Sequence, residues 1–344
     1  MDISFWRNKK VFLTGHTGFK GSWLALWLQE LGADVTGFSL EPPTQPNLFT
    51  LAKVASNMQS VQGDIRDFQL LKSTLLQHQP EIIFHMAAQS LVRYSYDNPV
   101  ETYATNVMGT VNLLEAARVT STAKAIINIT SDKCYENKEW HWGYREEDRL
   151  GGHDPYSNSK ACAELVTAAY RHSYLGSLAS VRAGNVIGGG DWALDRLVPD
   201  LMRSIINKEK FVVRYPHALR PWQHVLEPLQ GYLQLAEYIY QTPGQYAESW
   251  NFGPEEQDVK SVDWIVKHVQ RLCDEELHCE VLTPKLHEAT FLKLDSSKAK
   301  SKLGWKPRWN LDEALTNTVE WYQAFKQGED VERKTREQIR GYMK

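Results

Sequence analysis

The chain has 344 residues, enough for one large domain or two smaller ones around a substantial core. Its 42% hydrophobic and 24% charged residues match an ordinary soluble globular protein, and a net charge of −3 argues against the basic surface of a nucleic-acid binder. No run approaches the roughly 18 apolar residues of a membrane span, and the opening MDISFWRNKKVFLTG has neither the apolar stretch nor the cleavage site of a secretory leader.

In chain order, KVFLT (10–14) reads as a short buried strand, GHTGFKG as a glycine turn, and SWLALWLQELG as a helix closed by Gly32. DVTGFSL (34–40) is a second strand, followed by the Pro-rich loop PPTQPN. EIIFHMAA (81–88) is a buried strand, VETYATNVMGTVNLLEAAR (100–118) a helix, and AKAIINIT (123–130) another strand. YSNSKACAELVTAAYRHSY (156–174) is a helix, with the strand LASVRAGN (178–185) after it.

This alternation predicts an α/β fold: a Rossmann-type, doubly wound parallel sheet with helices on both faces. After about residue 185 the pattern shifts to shorter mixed elements around GNVIGGGDW, RPWQHV (220–225) and ESWNFGP (248–254). We therefore expect a dinucleotide-binding domain over 1–185. A smaller C-terminal substrate lobe is expected over 186–344, with about 220–255 returning to the sheet. The four cysteines, Cys134, Cys162, Cys273 and Cys279, have no CxxC spacing and no neighbouring histidine cluster. That argues against a metal site or a disulfide framework and favours a reduced, cytoplasmic setting.

Gly15, Gly18 and Gly21 stand between strand and helix with GxxGxxG spacing. The three glycines allow a tight turn, close approach of a pyrophosphate, and close packing of helix on strand, while the helix N-terminus offers free amides. The alternative is an ordinary tight turn. The second strand ends at Ser39, where NAD enzymes usually carry an acid, and no arginine stands there to neutralise a 2′-phosphate. NAD is the favoured cofactor. Asp64 and Ile65 in QGDIRD either flank the adenine or cap a helix.

Ligands of such sheets bind at the carboxyl ends of strands, which promotes Ser131, Asp132 and Lys133 at the end of AIINIT. Tyr156 and Lys160 are four apart at a helix start and share a face. A phenol titrates near 10; a lysine held beside it lowers that value, so that Tyr156 takes a proton from a sugar hydroxyl.

The segments TGHTGFKGSWL, HMAAQS, TNVMGT, ITSDK, PYSNSK, RAGNVIGGGDW and LGWKP resemble the extended short-chain dehydrogenase/reductases that modify nucleotide sugars, over about residues 5–325. Within that family, HTGFKG, TSDKCYENKEW, GGGDWALDR and RPWQHVLEPL resemble the CDP-glucose 4,6-dehydratase branch. The resemblance implies bound NAD, with Gly15, Thr17, Gly18, Phe19, Gly21, Ser39, Asp64, Ile65, Ala87, Ala88, Gln89, Tyr156 and Lys160 around it. It implies oxidation of a CDP-hexose at C4, loss of water across C5 and C6, and reduction at C6, as in deoxysugar synthesis of the O-antigen type. A related dehydratase or epimerase acting on another nucleotide hexose is the alternative, but epimerases need no acid beside Ser131.

Carried over, Tyr156 is the C4 base, Lys160 its partner, Ser131 the hydrogen-bond donor to the C4 oxygen, and Asp132 the acid for the C6 hydroxyl, which requires burial to keep it protonated. Lys133 departs from the glutamate of dTDP- and GDP-sugar dehydratases. It is either the C5 base or an electrostatic stabiliser of the enolate. Arg93, Asn185, Trp192, Arg196, Arg214, Arg220 and His287 are expected at the nucleotide and sugar, and His85 and Asn106 as core and bracing residues. Relatives pair through two helices, here 100–118 and 156–174, as homodimers or larger assemblies.

Overall fold

Seven runs pair as one parallel sheet in the computed structural model, which describes residues 1–275, 277–282 and 291–344. They are β1 (Lys10–Thr14), β2 (Asp34–Ser39), β3 (Gln59–Gln62), β4 (Ile82–His85), β5 (Ala125–Ile129), β6 (Leu178–Ala183) and β7 (Ser249–Phe252). Their order is β7-β6-β5-β4-β1-β2-β3. The order reverses between β1 and β4, which opens a crevice at their carboxyl ends. β3 escapes sequence reading because it is a polar edge strand with exposed side chains.

Alternating side chains of the strands serve opposite faces. Phe12, Ile83, Ile126 and Leu178 pack with Leu71 and Leu75 of α2 (Phe68–His78) and Leu113 and Leu114 of α3 (Gly109–Thr120). Val11, Leu13, Phe84, Ile127 and Val181 face the other core. That core contains Trp23 and Trp27 of α1 (Phe19–Glu30) and residues of α6 (Leu226–Gln241). Between these two lie α4 (Pro155–Ser173) and α5 (Leu197–Asn207) in chain order. The helix expected over 100–118 starts at Pro99, makes a π turn over Ala104–Met108, and continues as α3.

The smaller lobe holds α5, α7 (Val262–Cys273) and two strand pairs, Phe211–Arg214 with Cys279–Leu282 and Leu219–Pro221 with Val259–Ser261. Val186–Ile187 pairs with Gln223–His224, and the chain returns to the sheet through α6 and β7. Among the described residues no helix is long and apolar enough to cross a membrane.

The C-terminal helices α8 (Leu311–Lys326) and α9 (Val331–Met343) close the core over α1. Tyr342 meets Trp27 edge to face at 5.5 Å and donates to Glu227 Oε2 at 2.7 Å. Glu227 is fully buried and also accepts from Arg308 N and Trp309 N, both at 2.9 Å. Burial pushes this carboxyl up, and the three donors oppose that push. Tyr342→Phe removes one donor from a buried acid and is expected to cost about 1–3 kcal/mol in urea unfolding. Arg340→Ala removes a largely exposed partner of Glu30 and is expected to cost under about 1 kcal/mol in the same measurement.

Candidate active site

The glycine turn joins β1 to α1, and each glycine answers a different constraint. Gly15 has φ +76°, and a Cβ there would stand 2.7 Å from Ala87 N. A Cβ on Gly21 would stand 2.1 Å from Gly15 O, so only glycine lets the helix pack on the turn. Gly18 is different: a Cβ there would meet nothing closer than Gly15 O at 3.5 Å. It caps α1 with no side-chain hydrogen bond, which leaves the first-turn amides without a side-chain cap. Packing does not require glycine at 18, whereas close approach of a phosphate does. The donor set and the shape therefore fit a dinucleotide.

Thr17 Oγ1 shares a 2.7 Å hydrogen bond with Ser39 Oγ and donates to Leu40 O, tying the turn to the end of β2. Phe19 is half-buried against the core beside Gly188. The loop after β4 is held by Thr14 Oγ1, which accepts from Met86 N and Ala87 N, and Ala88 follows in the same loop. Gln89 is not free to turn outward: its amide donates to Leu91 O and Thr102 Oγ1, and its backbone N–H donates to Asn106 Oδ1. Asn106 sits in the π turn and also donates to Gln89 O and Ser159 Oγ, bracing this loop to α4. Asp64 forks with Arg66, and Ile65 packs in the core against Gly109. The helix cap there is Asp67, not Asp64.

β5 ends at Ile129, and Ser131 begins a 3₁₀ turn over Asp132–Cys134. Ser131 Oγ donates to Asp132 Oδ1 at 3.0 Å and accepts from Lys133 N at 3.2 Å. Asp132 is 4% exposed. Burial raises its pKa, against the opposing pull of Lys133, Ser131 and Arg220. Gly184 makes room for it, since a Cβ there would lie 2.9 Å from Asp132 Oδ2. Lys133 is half-buried, and its ammonium takes part in no hydrogen bond or ion pair among the described residues.

Across from this turn, α4 starts with Asp154 as cap, accepting from Ser157 N at 2.9 Å, and Pro155 in first position. Tyr156 follows, its N–H donating to Ser95 Oγ at 3.1 Å. Its phenol is buried, with Ser131 favouring its ionised form. Burial pushes the phenol up to about 12; Ser131 and the charge of Arg196 pull the other way, and Asp132 adds to the rise. This corrects the expectation that Lys160 lowers Tyr156. Lys160 instead donates to Ile129 O at 3.3 Å, and burial brings it down to about 8 against the opposing charge of Glu164. Desolvation outweighs the pairing that the helical spacing suggests.

His85 is a satisfied core residue between Thr14 Oγ1 (2.8 Å) and Thr110 Oγ1 (3.2 Å), pushed down to about 3 by burial. Arg196 pairs with Asp191 at 2.9 Å and reaches Ser90. Arg214 and Arg93 both face Asp195, at 2.6 and 3.6 Å. Arg220 is buried beside Asp132 and donates to Leu219 O. Asn185 is half-buried, its carbonyl accepting from Gln223 N.

Trp192 corrects another expectation. Its ring is packed between Tyr322 (5.2 Å) and Phe325 (4.9 Å) of α8 and is 5% exposed, so it has no face to offer a sugar. The glycines of GNVIGGGDW likewise serve packing: Gly189 lies against Trp321 and Gly190, at φ +80°, against Leu48. His287 lies outside the described residues.

Lys20 was missed. Burial, with Arg196 and Lys160 nearby, pushes it down to about 8, while Asp132 and Asp191 oppose the fall. A lysine in the first turn of a helix opposes the helix dipole, and that was the available signal. Among the described residues no group of three or more metal-ligating side chains is present.

A family model described as GDP-mannose 4,6 dehydratase matches residues 12–318. The CDP-glucose 4,6-dehydratase of Salmonella typhimurium is 52% identical over 360 aligned positions, covering 100% of this chain and 98% of the relative. A dTDP-glucose 4,6-dehydratase of Xanthomonas campestris is 26% identical, covering 90% of this chain and 92% of that protein. Among solved structures, the UDP-glucose 4-epimerase of Thermotoga maritima superposes with a TM-score of 0.81 at 22% identity, covering 92% of this chain and 99% of that one. The dTDP-glucose 4,6-dehydratase of Streptomyces venezuelae, solved with NAD bound, gives 0.81 at 23% identity, covering 93% and 98%.

Gly18→Ala separates cofactor approach from folding. The thermal midpoint is expected to move by no more than about 2 °C, because the position is roomy and extended. Affinity for NAD, titrated by fluorescence, is expected to fall at least about tenfold. An unchanged affinity would remove Gly18 from the site.

Proposed function

The chain belongs to the extended short-chain dehydrogenase/reductase family of nucleotide-sugar epimerases and dehydratases, and from that premise we propose that it catalyses the 4,6-dehydration of CDP-glucose. The observation that carries the reading is Asp132: a carboxyl buried beside Ser131 and raised by that burial, where epimerisation needs no acid. The 52% identity to the Salmonella enzyme along the whole chain supports CDP as the nucleotide. The product is the 4-keto-6-deoxy sugar, and we place the reaction in deoxysugar synthesis of the O-antigen type, in the cytoplasm.

NAD, when bound at the glycine turn, supplies the two-electron oxidation at C4 and the matching reduction at C6. The rest falls to side chains. Tyr156, once ionised to the phenolate, takes the proton of the C4 hydroxyl, and Ser131 hydrogen-bonds the same oxygen. Asp132, its carboxyl raised by burial, protonates the C6 oxygen, which leaves as water. Lys133 takes the C5 proton as a free amine, or holds the enolate as an ammonium while solvent takes it. A proton returns to C5 as C6 is reduced, so one water is lost and no net oxidation results. We assign Arg196 and Arg220 to the diphosphate, with Arg93 and Arg214 at the edge of the site; their ion pairs with Asp191 and Asp195 support that grouping.

The same reading includes a homodimer or homotetramer. Val100, Met108 and Leu165 are 81%, 52% and 59% exposed on the helical run from Pro99 and on α4. Light scattering is expected to give the mass of two or four chains, and a monomer would refute the assembly.

Incubation with CDP-, dTDP-, GDP- and UDP-glucose, read by the alkaline absorbance of a 4-keto sugar, is expected to give product with the CDP sugar alone. Equal turnover of dTDP-glucose, or of none, would overturn the proposal. For Lys133→Met, loss of solvent exchange at C5 with C4 oxidation retained supports the base role. General-base loss should lower kcat by about 10²–10⁴. Exchange at the parental rate would assign the base elsewhere.

A further inference from the structure

Glu164 and Arg182 have no part in the chemistry above, yet theirs is the most deeply buried ion pair among the described residues, with side chains 1% and 2% exposed. Glu164 lies on α4, one turn beyond Lys160 and two beyond Tyr156. Its carboxylate accepts from Arg182 Nε (2.9 Å) and Nη2 (2.8 Å), from Ser180 Oγ (2.6 Å) and from Thr130 Oγ1. Thr130 immediately precedes Ser131. Arg182 then extends its remaining nitrogen to the Tyr135 hydroxyl at 2.6 Å, with its guanidinium 4.8 Å above that ring. Tyr135 closes the turn that carries Asp132 and Lys133, and its hydroxyl donates to Asn251 of β7.

A buried ion pair loses in desolvation about what it gains in attraction, so stability alone is a weak reason for one. A guanidinium forked onto a carboxylate does, however, fix direction and distance. Here the fork grips the residues on both sides of the Ser131–Asp132–Lys133 turn from the helix that bears Tyr156 and Lys160. We propose that Glu164 and Arg182 are a positioning pair that sets the alignment of the Ser131–Asp132–Lys133 turn against the Tyr156–Lys160 helix face. The catalytic part of this rests on the functional reading given above.

Burial would push Glu164 up, but the Arg182 charge and the three donor side chains hold it down at about 2, so the fork stays ionised at neutral pH. The charged and titratable groups around Lys160 are Glu164 on its own helix, Cys134 on the turn, Lys20 on α1 and His85 on β4.

The test uses the full-length protein and three variants: Glu164→Leu/Arg182→Met, Thr130→Val and Tyr135→Phe. Thermal midpoint, kcat, KM and amide hydrogen exchange without substrate are read on each. The double variant replaces both charges with apolar bulk and is expected to fold. Its kcat should fall about 30- to 100-fold with KM within about threefold, since the reacting groups lose alignment while binding groups remain. Amides of 131–135 should exchange at least about tenfold faster, with the interiors of α4 and β6 unchanged. The single variants keep the ion pair and release one tie each; a loss of about three- to tenfold in kcat is expected.

Parental kcat and parental exchange in a folded double variant would overturn the proposal. If that variant does not fold, parental values in both single variants overturn it. If the parent turns over no nucleotide hexose, the functional reading fails, while the exchange data still decide whether the pair holds the turn.

Discussion

Where β5 runs out at Ile129, its carbonyl receives the buried Lys160 ammonium, and buried Asp132 and Tyr156 stand on the adjoining turn and helix. A parallel sheet covered on both faces has nowhere else to place polar chemistry. Its interior is taken up by aliphatic and aromatic side chains, and only the ends of the strands expose backbone groups able to anchor a charge. The crevice between β1 and β4 then brings the glycine turn, the loop after β4 and the end of β5 to one place. The rest of the site follows from which side chains the chain puts there.

Burial also decides what those side chains do. Desolvation disfavours charge, so acids rise and amines fall. Asp132 moves up, while Lys160 and Lys20 come down to about 8. Groups that start far apart on the pH scale are drawn toward the range where proton transfer is fast at neutral pH. The same force takes His85 to about 3 and His16 to about 4, leaving both neutral at physiological pH. His16 shares a hydrogen bond with Ser60 Oγ at 2.7 Å, and its ring fills the space beside Gly37. Burial also takes Tyr156 away from neutrality, to about 12, and Ser131 and Arg196 only moderate that. Its resting state is therefore the phenol. As the phenol it can only donate to the reacting oxygen, and it accepts a proton only after it has ionised to the phenolate.

What was legible in the chain was local. The glycine turn, the Tyr156–Lys160 spacing and the polar triplet after AIINI each lie within a few residues of one another, so pattern and position identify them together. Asn106 and His85 were readable as bracing residues because a polar residue inside an apolar run must be satisfied. What escaped depends on distant partners. In GNVIGGGDW, Gly189 lies against Trp321 and Gly190 against Leu48, partners far away in the chain that no local pattern names. Trp192 resembles a sugar platform until α8 closes over it. The expected lowering of Tyr156 by Lys160 assumed that neighbours on a helix face each other's charge, whereas Lys160 reaches down to the sheet. Glu164 and Arg182 meet across 18 positions of sequence, on a helix and a strand whose periodicities carry no sign of the pairing.

The order Ser131, Asp132, Lys133 has a geometric reason as well as a chemical one. Ser131 is extended and caps a 3₁₀ turn formed by the next three residues. Three residues per turn place successive side chains about 120° apart. Asp132 is thereby directed inward to the space kept by Gly184, Lys133 to a half-buried position, and Cys134 into the core. An α-helix would spread them only slightly less, about 100° apart, but it would need a fourth residue to close its first hydrogen bond and would carry the segment away from Thr130. The short turn returns the chain at Tyr135, where Arg182 meets it. On the proposed reading, three adjacent residues hold one oxygen, protonate another and face a third atom, because the turn separates their directions while both of its ends stay fixed.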